Sequence, residues 1–293
     1  MTTEKSIKTP PSGVLAVLVL YRTTAQQSRA WPFLQRAIRP PQTSDRGQPE
    51  AMRLRHIVVY DNSPVTQAPS TLPPDVSYVH DPSNAGTAGA YAKAFAMADA
   101  MGCEWVLLLD HDTALPDIYL EAAYEAAQRA QATDGQLLAP WVMHGVRCIS
   151  PSRRTRWGGF ARLDAKPGTT PTTSALSCIA SGCLLDQRAR ALIGAFPAEL
   201  WLDFVDHWMV CRVQRGGGKL ALIDATLQHD LSVERPTALS AERLASVLAG
   251  ERYFMAQCGW AARITYPFRL ALRAINYARQ GTPLWRDVLR ALT

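Results

Sequence analysis

A mixed, mostly parallel α/β sheet flanked by helices is the fold class that this 293-residue sequence predicts. Three observations predict it. Short apolar, β-branched runs recur through the first half, stretches with helical spacing separate them, and polar residues stand where the runs end.

The first run, VLAVLVLY (14–21), is a buried strand that delivers Tyr21 and Arg22 at its end. WPFLQRAI (31–38) has helical spacing, and PPQTSDRGQPE (40–50) is a breaker-rich loop. LRHIVVYDNS (54–63) is a second buried strand ending in Asp61 and Asn62, and VSYVHD (76–81) is a short third. The Ala-rich TAGAYAKAFAMADAMG (87–102) is a helix able to pack close to a sheet. WVLLLD (105–110) is a fourth strand. PDIYLEAAYEAAQRAQA (116–132) is a helix with Pro116 near its first turn, followed by a fifth strand, LLAPWV (137–142). Beyond residue 143 the texture changes. A basic, breaker-rich stretch (150–174) precedes a strand at SCIASGCLLD (177–186). Then come a helix from about Leu202 to Arg215, a Gly turn, a strand at 219–223 with His229 at its far side, and a long helix over 238–259.

Composition is that of an ordinary globular chain, 47% hydrophobic and 19% charged. Six cysteines without a C-x-x-C pair imply scattered reduced thiols in a cytosolic setting. MTTEKSIKTPPSG lacks the apolar core of a secretory signal, and no uncharged apolar run is long enough to span a bilayer. The net charge of +6 is concentrated: residues 261–293 hold six arginines against one acid, Asp287. Nucleic-acid binding would spread a basic surface more widely, so none is expected. That stretch mixes Arg with Phe, Leu, Ile, Tyr and Trp. It suits an anionic membrane surface, a solvated helical pair or an oligomer contact.

In parallel sheets ligands bind beyond the carboxyl ends of the strands. No G-x-G-x-x-G follows the first strand and no G-K-[ST] occurs, so dinucleotide and P-loop readings lose their motifs. Asp110-His111-Asp112 ends a long apolar run. Two carboxylates so close repel unless a cation lies between them, and they supply hard oxygen ligands for Mg²⁺ or Mn²⁺. A solvated Asp turn is the bland alternative. Asp61 suits either a hydrogen bond to a nucleoside or an Asx turn. Asn84 and Gly86 open the Ala-rich helix, whose N–H groups suit a base or phosphate, or simple capping. Asp203 and Asp206, three apart on a helix start, share a face. One of them could be a general base, or both could merely favour the helix N-terminus. His229 is either structural or a third metal ligand.

The ordered set VLVLYR, IVVYDNS, NAGTAGA, WVLLLDHDT, SGCLL, LWLDFVDHWMVCR and LQHDLS spans roughly residues 14–232. It resembles the inverting family-2 glycosyltransferases of the GT-A fold, and within them the rhamnosyltransferase-like and galactofuranosyltransferase-like branch. The resemblance implies a GT-A domain over 1–235, with a nucleotide-sugar half (about 12–145) and an acceptor half (about 146–235). A basic, amphipathic helical extension follows over 236–293. It also implies transfer of a rhamnose-like or galactofuranose-like sugar from a dTDP- or UDP-linked donor to a hydroxyl of a glycan or lipid-linked acceptor in cell-surface polysaccharide synthesis. The expected location is cytoplasmic, peripheral on the inner face of the membrane.

In residue terms, the resemblance makes Asp206 the catalytic base and assigns Asp203, Trp208 and Gly182 to the acceptor. Tyr21, Arg22, Asp61, Asn84, Gly86, Asp110 and His111 would contact the nucleotide sugar. Asp110, Asp112 and His229 would hold Mg²⁺ or Mn²⁺. The sequence departs from the family pattern at Ala92, where a second Asn is common, and at Trp208, where an acid is common. Two alternatives are a haloacid-dehalogenase-like phosphatase and a non-catalytic glycan- or nucleotide-binding protein of the same fold. The first loses ground because the D-x-D follows several strand units and position 114 is Ala.

Overall fold

The computed structural model describes residues 13–39, 52–69, 71–130, 134–163, 165–169, 175–229 and 240–292. The predicted loop at 40–50, part of the 150–174 stretch and the His229 side chain lie outside what is described.

The first half alternates strands and helices as expected. Its elements are β1 (Gly13–Leu20), α1 (Trp31–Ala37), β2 (Arg53–Asp61), β3 (Val76–His80), α2 (Gly86–Met101), β4 (Trp105–Asp110), β5 (Thr113–Ala114), α3 (Tyr119–Ala130) and β6 (Gln136–His144). The second half holds β7 (Arg147–Ser150), β8 (Ser152–Arg154), β9 (Phe160–Arg162), β10 (Leu176–Ser177), β11 (Leu184–Asp186), α4 (Gln187–Ile193), α5 (Val205–Arg215) and β12 (Lys219–His229). Three helices, α6 (Ala241–Gln257), α7 (Trp260–Arg279) and α8 (Trp285–Arg290), follow.

The main sheet runs β3-β2-β1-β4-β11-β6-β12-β5, with β7 beside β6; β10, β8 and β9 form a separate small sheet. β1 is parallel to both β2 and β4, and β12 is parallel to β6. β11 is antiparallel to β4 and β6, which makes the sheet mixed.

Every residue of β1 is buried, and alternate residues enter opposite cores, as a period of two requires in a sheet covered on both faces. Val14, Ala16, Leu18 and Leu20 join Phe33, Leu34, Tyr119 and Ala123 on the side of α1 and α3. Leu15, Val17 and Val19 join α2, α4 and α5 on the other. The alanines of α2 allow that helix to lie close, and Gly102 ends it in the left-handed region (φ 66°).

Three expectations shift. The predicted strand over 177–186 is two short strands, broken by a turn in which Gly182 has φ +87°. β12 continues past residue 223 to His229; its register with β6 slips between Leu222 and Thr226, which hides the continuation from a period-two reading. α5 begins at Val205 rather than Leu202, because Phe204 takes a left-handed conformation (φ 61°).

α6, α7 and α8 share the α2/α5 core through Leu248, Phe254, Tyr266, Leu270 and Val288. Glu251, 1% exposed, accepts hydrogen bonds from Arg273 at 2.6 and 3.0 Å and has Arg269 at 3.6 Å. Two of the six C-terminal arginines therefore serve the interior. Among the described residues no helix is long and apolar enough to cross a membrane.

Candidate functional site

Strand order reverses at β1, and the polar residues gather there. Leu20 pairs with Asp61 on one side, and Val19 pairs with Asp110 on the other. That is the crevice beyond the strand ends where ligands of such sheets bind. Tyr21 is 42% exposed at its mouth, with the Arg22 guanidinium 5.1 Å from its ring centre. Arg22 (φ 55°) donates its N–H to Ser63 Oγ at 2.7 Å, which joins the β1 and β2 ends.

Asp110, His111 and Asp112 are half-buried on the turn after β4. Ser181, 71 residues on, fixes this turn. Its Oγ accepts from Asp110 N–H at 3.0 Å and lies 2.7 Å from Thr113 Oγ1. The His111 carbonyl accepts from Arg29 N–H at 2.7 Å and Ser28 Oγ at 2.9 Å. β5 leaves the turn and pairs antiparallel with the end of β12, placing His229 across from Thr113. Directly opposed residues in such a ladder have Cα atoms about 4.5–5.5 Å apart. The backbone of residue 229 thus stands beside the residue next to Asp112.

Asp206 is half-buried in the first turn of α5. The fully buried Tyr91 phenol of α2 is pushed well above its ordinary pKa by burial, then by the charges of Asp110 and Asp206. Both carboxylates therefore lie near one side chain, although 96 residues separate them in sequence. His207, which the sequence gave no reason to select, stacks on Phe160 (centroids 3.8 Å), and its Nδ1 lies 2.7 Å from Ser177 Oγ. Burial lowers its pKa against the opposing pull of Asp206, so neutral imidazole is favoured.

Several assigned residues also have partners within the framework. Asp61 is fully buried; Ser63 N–H and Gln67 N–H donate to it at 2.9 Å each, and so does the Tyr78 hydroxyl. Burial works against its charge, but hydrogen bonds from Ser63, Tyr78 and Gln67 outweigh it and hold its pKa below the usual range. Asp61 thus shapes the 62–67 loop. Asn84 (φ 56°) and Gly86 (φ 71°) turn the chain into α2, but the N–H groups there are engaged. Ala85 donates to Asp81, Gly86 to Asn62 and Ala88 to the Trp201 carbonyl. Three N–H groups at the start of α2 thus have partners within the protein.

Asp203 precedes α5 and does not share a helix face with Asp206. It accepts both terminal nitrogens of Arg243 from α6, one at 2.7 Å. Trp208 is 6% exposed and packs on Phe196, so it belongs to the core. Gly182 is buried too: its N–H donates to the Leu108 carbonyl at 2.7 Å, its own carbonyl accepts from Tyr119, and a Cβ there would lie 2.9 Å from Pro140.

Residues 30–164 match the model of the glycosyl transferase family 2. That match covers a little under half of the chain, and what it shows is a similarity to family-2 glycosyltransferases. Among solved structures, the fold of this chain is similar to S. aureus TarS, with a TM-score of 0.50 at 10% identity over 90% of this chain. The chain spans 43% of the length of that TarS chain. TarS 1–349 in complex with UDP-GlcNAc gives a TM-score of 0.50 at 11% identity, over 96% of this chain and 82% of that one. TarS 1–349 alone gives the same score and identity over 96% and 81%. Identities this low bear on fold, and the fold is the GT-A sheet with C-terminal helices. No curated protein matches the sequence.

Proposed function

We propose that the protein is a metal-dependent, inverting glycosyltransferase that moves a sugar from a UDP- or dTDP-linked donor to a hydroxyl of a glycan or lipid-linked acceptor. The observation that carries the reading is the pairing of His229 with Thr113, which sets residue 229 beside the Asp110–Asp112 turn at the sheet's switch point. A UDP-linked donor draws support from the UDP-GlcNAc held by TarS. A rhamnose-like or galactofuranose-like sugar rests on the sequence resemblance alone.

Asp110, Asp112 and His229 are the residues that would hold Mg²⁺ or Mn²⁺. Among the described residues no three His, Cys, Asp or Glu side chains cluster as a closed metal cage. A magnesium-type site takes one or two carboxylates and completes its shell with water and substrate phosphates. A bound ion would offset the charge that builds on the departing diphosphate.

Asp206 is the general base in this reading. It accepts the proton of the acceptor hydroxyl as the oxygen attacks the anomeric carbon opposite the diphosphate, and the configuration inverts. Its Oδ1 already accepts the His207 N–H at 2.7 Å, which orients the carboxylate. Asp203, paired with Arg243, positions the loop ahead of α5 rather than touching the acceptor.

A screen of nucleotide sugars with Mn²⁺ tests this. The expected product is nucleoside diphosphate, with dTDP-rhamnose, UDP-galactofuranose and UDP-GlcNAc tried first. Inorganic phosphate released from a phosphomonoester would point to a phosphatase, and no metal-dependent cleavage of any donor would point to a binding protein.

A further inference from the structure

α7 is apolar on two sides. Ala262, Tyr266, Leu270 and Ala274 face the core. Trp260, Ile264, Phe268 and Leu272, each four residues from the last, form a second stripe that solvent reaches; Trp260 is 75% exposed and Phe268 68%. A helix with one buried and one bare apolar face has a second partner to meet. Over the stripe's twelve-residue span the helix rises about 18 Å.

A basic pocket of about 310 Å³ opens at the start of this helix. Arg154, Arg156, Arg215, Cys258 and Trp260 line it, and no acid does. Arg154 and Arg215 also act on the Cys258 thiol, whose pKa burial raises and these guanidinium groups lower. α7 itself holds four arginines and no acidic residue; Arg269 and Arg273 are taken by Glu251, while Arg263 and Arg279 stay exposed.

We propose that this face docks the enzyme onto an anionic phospholipid bilayer. Trp260, Ile264, Phe268 and Leu272 enter the headgroup–acyl boundary, and a lipid phosphate sits among Arg154, Arg156 and Arg215. The charge pattern selects this occupant. A second copy would bring one arginine-bearing, acid-free helix against another, whereas an anionic bilayer offsets the charge and covers the apolar stripe at once. The inference is independent of the transferase reading, because it needs neither donor nor acceptor.

Sedimentation of the full chain with phosphatidylcholine vesicles, with and without phosphatidylglycerol, tests it. The expected result is binding to the phosphatidylglycerol vesicles that weakens as salt rises. Phe268→Glu should lower the affinity by about tenfold or more, and Arg156→Gln by about fivefold. Both side chains are exposed, so circular dichroism melting should be unchanged and a folding defect is separable. Equal binding to both vesicle types, or full retention by Phe268→Glu, would overturn the proposal. So would a wild-type dimer that ignores vesicles and that Phe268→Glu converts to monomer, since the face would then be a self-association surface.

Discussion

Replacing Gly86 by Ala should cost far more than replacing Gly102 by Ala, although both glycines have φ near +70° (71° and 66°). The left-handed penalty is shared, at about 1–2 kcal/mol. The surroundings differ. A Cβ at Gly102 meets nothing within 4 Å, whereas at Gly86 it runs into the Trp201 carbonyl oxygen and lies 2.5 Å from Trp201 Cε3. One of those obstacles is backbone, so the chain must move, and overpacking of this kind costs about 1–3 kcal/mol more. With melting temperature falling by about 2–4 °C per kcal/mol, Gly102→Ala should lose about 4 °C and Gly86→Ala about 10 °C. The displaced segment, 201–204, leads straight into Asp206, so turnover should fall for Gly86→Ala and hold for Gly102→Ala. Thermal melts monitored by circular dichroism, with donor cleavage measured well below the transition, check both. Equal melting losses, or normal turnover in Gly86→Ala, would refute the claim that Gly86 spaces α2 from the loop that leads into Asp206.

Three further outcomes are expected. Glu251→Ala leaves two partly exposed arginines beside an emptied buried site and should destabilise the fold by about 2–4 kcal/mol in urea unfolding; no change would mean that α7 is held otherwise. The buried His207 has a folded pKa below its ordinary 6.5, so the unfolded chain binds more protons near and below that value. Stability should therefore fall as pH drops through about 6.5, and His207→Gln should flatten that part of the urea-midpoint profile. Asp206→Asn should keep donor affinity by calorimetry while losing transfer by about a hundredfold or more, and near-normal turnover would discard the base assignment.

The parallel half of the sheet was legible in the sequence because its strands are buried on both faces and read as unbroken apolar runs. β4 begins and ends where WVLLLD does. The D-x-D turn was legible for the same reason, since two carboxylates ending such a run stand out. What sequence could not show depends on partners far along the chain. Asp203 looked like a neighbour of Asp206, but a left-handed Phe204 separates it from the helix and Arg243, forty residues on, claims it. Ser181 and His207 carried no local pattern; only folding sets one under the Asp110–Asp112 turn and the other against Asp206. Trp208 and Gly182 lie in motifs that do match the resemblance, yet their side-chain volume, or lack of it, is used for packing.

The most direct test of the account is a double-mutant cycle on metal binding. Mn²⁺ affinity would be measured by calorimetry in the presence of UDP, for the wild type, Asp112→Ala, His229→Ala and the double variant. If both residues serve one ion beside the donor's diphosphate, each single change should cost at least tenfold, and the double variant little more than the worse single. Strictly additive losses, or unchanged affinity in His229→Ala, would contradict a shared metal site.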